Sequence, residues 1–238
     1  MTAVGATNVG SIKIYFDKLL TDEGYRVDGR KKNEIRKFNC KLGVFEQADG
    51  SAYVEMGNTK VLAAVYGPHD IRFKKSKSLH DKAFINCQYS MATFSTNERK
   101  KKPRGDFRAI EITNKVLQFD GSSFSACINA ATLAITHAGI PIKDIVCACS
   151  AGLVSDQTIT DVNYQEESIG IIPILTTAIL PKDKQILSLE QTGRIQIDSL
   201  NQLMDAAMEG CQDIYHLLKQ YRHLLKYLNK FQHDQLLP

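Results

Sequence analysis

The sequence contains no tryptophan, only 6 prolines in 238 residues, and no apolar run of membrane-spanning length. A spanning helix needs about 20 apolar residues, so no membrane partner is expected. A hydrophobic fraction of 43% argues against disorder, and the 15 glycines follow no three-residue period, which excludes a collagen-like chain. Charge of one sign is also missing. With 30 Lys+Arg against 26 Asp+Glu, the net charge is +4, and no global basicity draws the chain to nucleic acid. Metal-ligand spacing is absent too: the six cysteines form no CxxC pair or finger pattern, and there is no HExxH. No metal site and no cofactor are therefore expected. The thiols read as reduced, buried core residues, with Cys147 and Cys149 on one face of a strand. The opening MTAVGATNVGSIKIYF lacks the basic region and apolar core of a secretory signal, which points to a cytosolic or nuclear chain.

The charge that is present is uneven. Arg99, Lys100, Lys101, Lys102, Arg104 and Arg108 stand against Glu98 and Asp106, a local +4 that leaves the remainder neutral. Arg72, Lys74, Lys75 and Lys77 form a second, looser basic stretch. Around these lie regular elements. A strand is predicted over 34–45, after an Asp28-Gly29 turn. Alternating runs over 51–56 and 59–66 flank Gly57-Asn58, a strong hairpin signal. Strands follow over 83–94 and 110–119. Asp120-Gly121-Ser122-Ser123 then turns the chain into a helix, capped by one of the serines and closed by Gly139 and Pro141. A small-residue strand over 145–154, a hairpin of 171–180 with 185–189, and a long amphipathic helix from Asp198 complete the order. This order predicts an α/β (α+β) fold of mixed sheets with helices packed on them.

The runs GYRVDGR, FEQADGSAYVEMGNTKVLAAVYGP, NCQYSMATFSTNERKKKP, LQFDGSSFSACINAATLAITHAGIP and CACSAGLV resemble the RNase PH family, including the ring subunits of the RNA exosome. The resemblance implies an RNase PH-like fold of two βαβα halves, each related to domain 2 of ribosomal protein S5. It divides the chain into an N-terminal extension (1–23), an RNase PH-like domain (24–218) and a divergent C-terminal helical tail (219–238). The implied partners are other RNase PH-like exosome subunits in a hetero-hexameric ring, cap subunits, associated nucleases and single-stranded RNA. The implied locations are nucleus, nucleolus and cytoplasm. One departure stands out. Family members carry a crossover helix ahead of the strand at 110–119, whereas here Asp106-Phe107-Arg108-Ala109 leads almost directly into Ile110. Roughly two dozen residues are missing, about the length of a crossover. Their loss is expected to bare apolar sheet surface at about 25 cal/mol per Å².

In active family members inorganic phosphate attacks the 3′-terminal phosphodiester and releases a nucleoside diphosphate, which requires cationic donors around two anions. Active relatives place an Arg in a D-G-G-T-R turn at a helix N-terminus. The matching residues are Asp120-Gly121-Ser122-Ser123-Phe124, with phenylalanine at the Arg position. Of two acids that active relatives carry six residues apart, Glu167 matches the first and Pro173 falls at the second. Two losses in complementary roles lead to the expectation of a catalytically inactive chain with no catalytic residue.

In ring relatives the loop matching the basic run lies near the pore entrance. The expected RNA contacts are therefore Arg99, Lys100, Lys101, Lys102 and Arg104, with Lys74 and Lys75 from the second stretch. The plainer reading of both is a solvated loop. Glu166 and Glu167 read as capping or surface acids, and Tyr89 and Phe94 as core or subunit packing in preference to base-stacking strand-end aromatics. His216 and His223 read as solvent or interface residues. The function expected is that of a non-catalytic exosome ring subunit that threads RNA for 3′-end ribosomal RNA processing and 3′-to-5′ decay. The alternatives are an active phosphate-dependent exoribonuclease and an assembly-defective isoform.

Overall fold

A computed structural model describes residues 19–21, 23–68, 85–95, 110–154, 157–168 and 172–220. Strands β1 (Phe38–Leu42), β2 (Gly50–Met56), β3 (Thr59–Tyr66), β4 (Ile85–Met91) and β5 (Ile110–Gln118) form a sheet in the order β1-β2-β3-β5-β4. The β2–β3 hairpin turns at Gly57-Asn58 as expected, with Gly57 at φ 59°. Ala52, Val54 and Met56 alternate into the core with Val61, Ala63 and Val65, as the two-residue period of a strand requires. The first strand is shorter than predicted because residues 34–36 are taken up by turn and side-chain contacts, described below.

All pairings in this sheet are antiparallel except β4 with β5. Ile85, Cys87 and Tyr89 lie in register with Ile110, Ile112 and Asn114. The β5 residues are buried, while their β4 counterparts are exposed. The sheet face covered over β5 is thus bare over β4, the strip on which a crossover between these parallel neighbours would pack. Cys87 also departs from the expectation of buried thiols, which Cys127, Cys147, Cys149 and Cys211 meet.

The rest of the chain supplies α1 (Ser123–Ala138), β6 (Cys147–Val154), β7 (Gln157–Thr160), α2 (Tyr164–Ser168), β8 (Ile174–Leu180), β9 (Gln185–Thr192) and α3 (Ile197–Gln220). The second sheet is antiparallel with order β7-β6-β8-β9. Helix α1 packs on β1, β2, β3 and β5 and also on β6, so most of its circumference is buried. Its mostly apolar sequence follows from that double contact. Ala126, Ala130, Leu133 and Ala134 join Cys147, Cys149, Ile179, Cys211 and Ile214 in one core cluster that spans both sheets. Asn129, buried on α1, exchanges two hydrogen bonds with the Ala148 backbone at 2.9 and 2.8 Å, taking the part of a strand neighbour. Helix α3 packs on β6, β7 and β8. The contact is close: a Cβ on Gly210 would lie 2.5 Å from the Thr160 side chain and 2.7 Å from Cys149 Sγ. The fold is mixed α/β with two sheets, and its first half carries one helix among the described residues.

Candidate functional site

Strands β4 and β5 end on the side of the first sheet where α1 begins. The turn between β5 and α1 places Gly121 at φ 76° and Ser122 at φ 52°, two successive left-handed residues. Gly121 is required there, since a Cβ would lie 2.5 Å from the Asn163 carbonyl carbon. Arg36 holds the turn. Its Nη1 donates to the Asp120 carbonyl at 2.5 Å and its Nη2 to the Gly121 carbonyl at 3.4 Å. Thr59 Oγ1 donates to the same Gly121 carbonyl at 2.9 Å.

Arg36 is in turn gripped by the buried carboxylate of Asp161, with Nε to Oδ2 at 2.9 Å and Nη2 to Oδ1 at 2.7 Å. Burial alone would raise the Asp161 carboxyl, but the Arg36 hydrogen bonds and charge, with Arg30 beyond, hold it below the usual aspartate value. Arg26 makes the parallel pair with Glu166, Nε to Oε1 at 2.8 Å and Nη2 to Oε2 at 2.5 Å, and donates to the Thr160 carbonyl. Glu166 is therefore a buried ion-pair partner, so of the two roles expected for it the surface one is excluded and the capping one holds. It is also the acid of a capping box. Glu166 Oε2 accepts from the Asn163 backbone at 2.8 Å, and Asn163 Oδ1 accepts from the Glu166 backbone at 2.9 Å. The predicted Asp28-Gly29-Arg30 turn is present, with Arg30 Nε on Asp28 Oδ2 at 2.7 Å.

Above this floor the start of α1 is open among the described residues. Ser122 stands at the start of α1 but its side chain does not cap it, contrary to expectation: the hydroxyl bonds to the Val162 carbonyl at 2.7 Å and also to Ser150. Ser123 Oγ remains at the surface, 3.3 Å from the Tyr89 hydroxyl. Phe124, in the first turn of α1, is 42% exposed, and Phe94, just past β4, is 73% exposed. Tyr89 and Phe94 are surface groups, which excludes a place for them in the core of this chain. Glu167 is half-buried beside them. Burial pushes its carboxyl above the ordinary value, opposed by the Ser122 backbone hydrogen bond and the Arg36 charge. No acid stands in the first turn of α1 itself, and the acid that meets its positive end is Glu167, through the Ser122 backbone N–H. Pro173 contributes only its carbonyl, which accepts from Leu153 N at 3.2 Å.

The residues expected to meet RNA (Arg99, Lys100, Lys101, Lys102, Arg104, Lys74 and Lys75) lie outside the described residues, as does His223. Their segments are bounded by described ends. The longer basic segment starts after Ser95, on the side of the sheet where α1 begins, and re-enters at Ile110. Among the described residues no cluster of His, Cys, Asp and Glu has metal-binding form, and no helix is long and apolar enough to cross a membrane. The hydroxyl of Tyr89 and the exposed ring of Phe124 were not legible in the sequence as partners of the helix end. Their only signal was position, one near the end of a strand and the other two residues after a turn serine.

A helix N-terminus offers backbone N–H donors to an anion, and the exposed aromatics beside it offer flat faces for stacking. The chain belongs to the RNase PH-like 3′ exoribonuclease family. The model of that family's domain 1 matches residues 34–115 and 105–141, and that of domain 2 matches residues 144–210. Exosome complex component RRP41 of Homo sapiens is 47% identical, covering 84% of this chain and 91% of the relative. The Rrp41 component of Thermococcus kodakarensis is 37% identical over 83% and 88%. Among solved structures, rice Rrp46 matches with a TM-score of 0.71 at 24% identity, covering 84% of this chain and all of that one. An Archaeoglobus fulgidus exosome chain matches at 0.70 and 18%, over 87% and 99%.

The alignment with the human relative runs 225 positions but covers only 84% of these 238 residues, so about two dozen positions lack a counterpart here. The split in the domain 1 match falls at the β4–β5 connection, in agreement with the missing crossover. The expectation of an inactive chain is corrected. Both halves match a 3′ exoribonuclease family and the relatives are RRP41 components, none of which indicates inactivity. Two substitutions weighed against a motif are insufficient grounds when the turn, the helix end and Glu167 are all retained.

Proposed function

We propose that the chain is an RRP41-type subunit of an RNA exosome ring and holds single-stranded RNA at the start of α1, near its 3′ end. The observation that carries this reading is the open α1 N-terminus with Ser123, Tyr89 and Phe124 around it. Backbone N–H groups and the helix dipole receive a phosphate, and the rings receive bases without reading sequence. Arg99, Lys100, Lys101, Lys102 and Arg104, with Lys74 and Lys75, supply the electrostatic track that leads RNA in. The associated roles are 3′-end processing of ribosomal RNA and 3′-to-5′ RNA decay, in nucleus, nucleolus and cytoplasm, with RNase PH-like neighbours, cap subunits and separate nucleases.

The test is RNA binding to reconstituted rings across a salt series. Each phosphate neutralised on a single strand adds about 0.7 to the slope of log affinity against log salt. If the four cations at 99–102 meet two to four phosphates, replacing them with Ser lowers that slope by about 1.4–2.8. The loss is equal for poly(A), poly(U) and mixed RNA, and an unchanged slope would refute the track. A second reading, phosphorolysis by this chain itself, is favoured by the half-buried Glu167 beside the helix end. Phosphate-dependent release of nucleoside diphosphate that is abolished by Glu167→Gln would establish it.

A further inference from the structure

The bare strip on β4 borders a buried polar atom that has no partner. Ile85 is 49% exposed and Cys87 is exposed, while Ile110 and Ile112 beside them on β5 are buried. Asn114 lies on the same face of β5, in register with Ala63 of β3 and Tyr89 of β4. It is buried, and its Oδ1 accepts no hydrogen bond. Buried acceptors are normally satisfied, so the group that covers this strip also brings a donor. The strip is about 23 Å long at 3.3 Å per residue and about 10 Å wide, near 230 Å². A stable interface between separate chains takes roughly 800 Å² per partner, so the strip alone does not hold one. A segment of the same chain needs far less, because its tether keeps it at high effective concentration.

Eighteen residues precede Leu19 and 18 follow Gln220, all outside the described residues. The carboxy-terminal segment starts far from the strip. The last turns of α3 share a cleft with residues 31–38, ahead of β1, and β1 is the opposite edge of the five-stranded sheet. Four strand spacings of 4.8 Å, about 19 Å, separate it from β4. The amino-terminal segment starts close by. Leu19 is buried with Val154, Ile159, Val162 and Ile172, and Leu20 packs on the same cluster. The Val162 carbonyl accepts from Ser122, and the next residue, Ser123, has its hydroxyl 3.3 Å from that of Tyr89. The chain ahead of Leu19 therefore enters at the end of α1 that meets β4. Ile12, Tyr15 and Phe16 precede Leu19 and Leu20 at i, i+3, i+4, i+7 and i+8, the spacing of one helical face. Ser11, Lys13 and Lys18 supply donors. We propose that residues 9–18 dock on the bare face of β4 in place of the absent crossover, with Ile12, Tyr15 and Phe16 over Ile85 and Cys87 and a donor on Asn114 Oδ1. Ten residues span about 15 Å as a helix, which matches the roughly 13 Å from Ile85 to Tyr89 along the strand.

The experiment measures alkylation of Cys87 by N-ethylmaleimide in the purified full chain, resolved from the other thiols by peptide mass spectrometry. Wild type is compared with an Ile12→Asp/Phe16→Asp variant and with a chain lacking residues 1–17. Docking makes Cys87 react about tenfold or more faster in both than in wild type, with faster hydrogen exchange over 85–91. Slow alkylation of the buried Cys147, Cys149 and Cys211 shows that a variant has kept its fold. A Tyr15→Cys variant, which removes nothing from the core, is oxidised with diamide and forms a disulfide between position 15 and Cys87. Equally fast alkylation of Cys87 in all three chains would mean a bare strip and overturn the proposal. Equally slow alkylation would mean that residues 221–238, another loop or a second copy covers β4, and would overturn it too. Where both variants lose their fold, absence of the Tyr15→Cys crosslink overturns it.

Discussion

Replacing Arg36 with Met tests whether the buried arginine pair holds the start of α1. The Asp161 side chain is fully buried and its two oxygens meet Arg36 at 2.7 and 2.9 Å, with Arg30 Nη1 at 3.7 Å. Without the guanidinium, Asp161 retains the Arg36 backbone N–H and the more distant Arg30, and the Asp120 carbonyl loses its donor. Removing one member of such a pair costs about 3–5 kcal/mol. For a chain of this size that lowers the thermal midpoint by about 6–20 °C, at about 2–4 °C per kcal/mol. Urea unfolding followed by circular dichroism at pH 7 measures the change, with an unchanged m-value as the condition for reading it as stability. Because the folded Asp161 pKa lies below its ordinary value of 3.8, the pair contributes above that value. Its contribution fades as pH falls through the folded pKa, and the gap between variant and wild type narrows there. A loss below 1 kcal/mol at pH 7, or a gap that widens on acidification, would refute the reasoning.

Gly210→Ala drives a methyl group to within 2.5 Å of Thr160 and 2.7 Å of Cys149 Sγ, and is expected to cost about 1–3 kcal/mol by thermal unfolding. Phe124→Ala and Tyr89→Ala each weaken RNA binding to assembled rings by about 1–3 kcal/mol if a base stacks on that ring. The Phe124 variant leaves the thermal midpoint unchanged, and equal binding by both variants would remove the stacking surface. Glu167→Gln raises stability at neutral pH, since burial lifts the folded pKa of Glu167 and penalises its ionised form. The gain disappears as pH falls below that folded value, and a destabilised variant at pH 7 would reverse the assignment.

The hairpin at Gly57-Asn58 and the helix after Asp120-Gly121 were legible because each rests on local chemistry, a left-handed glycine and a two-residue or 3.6-residue period. The missing crossover was legible as a shortfall in length, and the structure locates its effect in exposed Ile85, Cys87 and Tyr89. Strand β7 and helix α2 escaped notice because four and five residues are too few to show a period. Arg30 belongs to a turn that the Asp28-Gly29 pair announces, whereas nothing local marks Arg26 or Arg36 as buried. Their partners lie 125 to 140 residues away, and no local pattern marks such a pairing. Glu166 and Glu167 are adjacent in sequence but point into different surroundings, one to a buried guanidinium and one toward the helix end.

That separation has a consequence for synthesis. Arg36 leaves the ribosome 125 residues before Asp161, a delay of about 6–25 s at 5–20 residues per second. For the last 23 residues of it, about 1–5 s, the hairpin and α1 are complete, yet the turn that joins β5 to α1 lacks the carboxylate that neutralises its arginine clamp. The amino-terminal half is therefore born with its α1 end unfastened and with Arg26 and Arg36 awaiting the carboxylates of Glu166 and Asp161. Only when the chain has passed Glu166 do Arg26 and Arg36 close on the second half. The shape of the α1 end is settled only after every residue of α1 has been made.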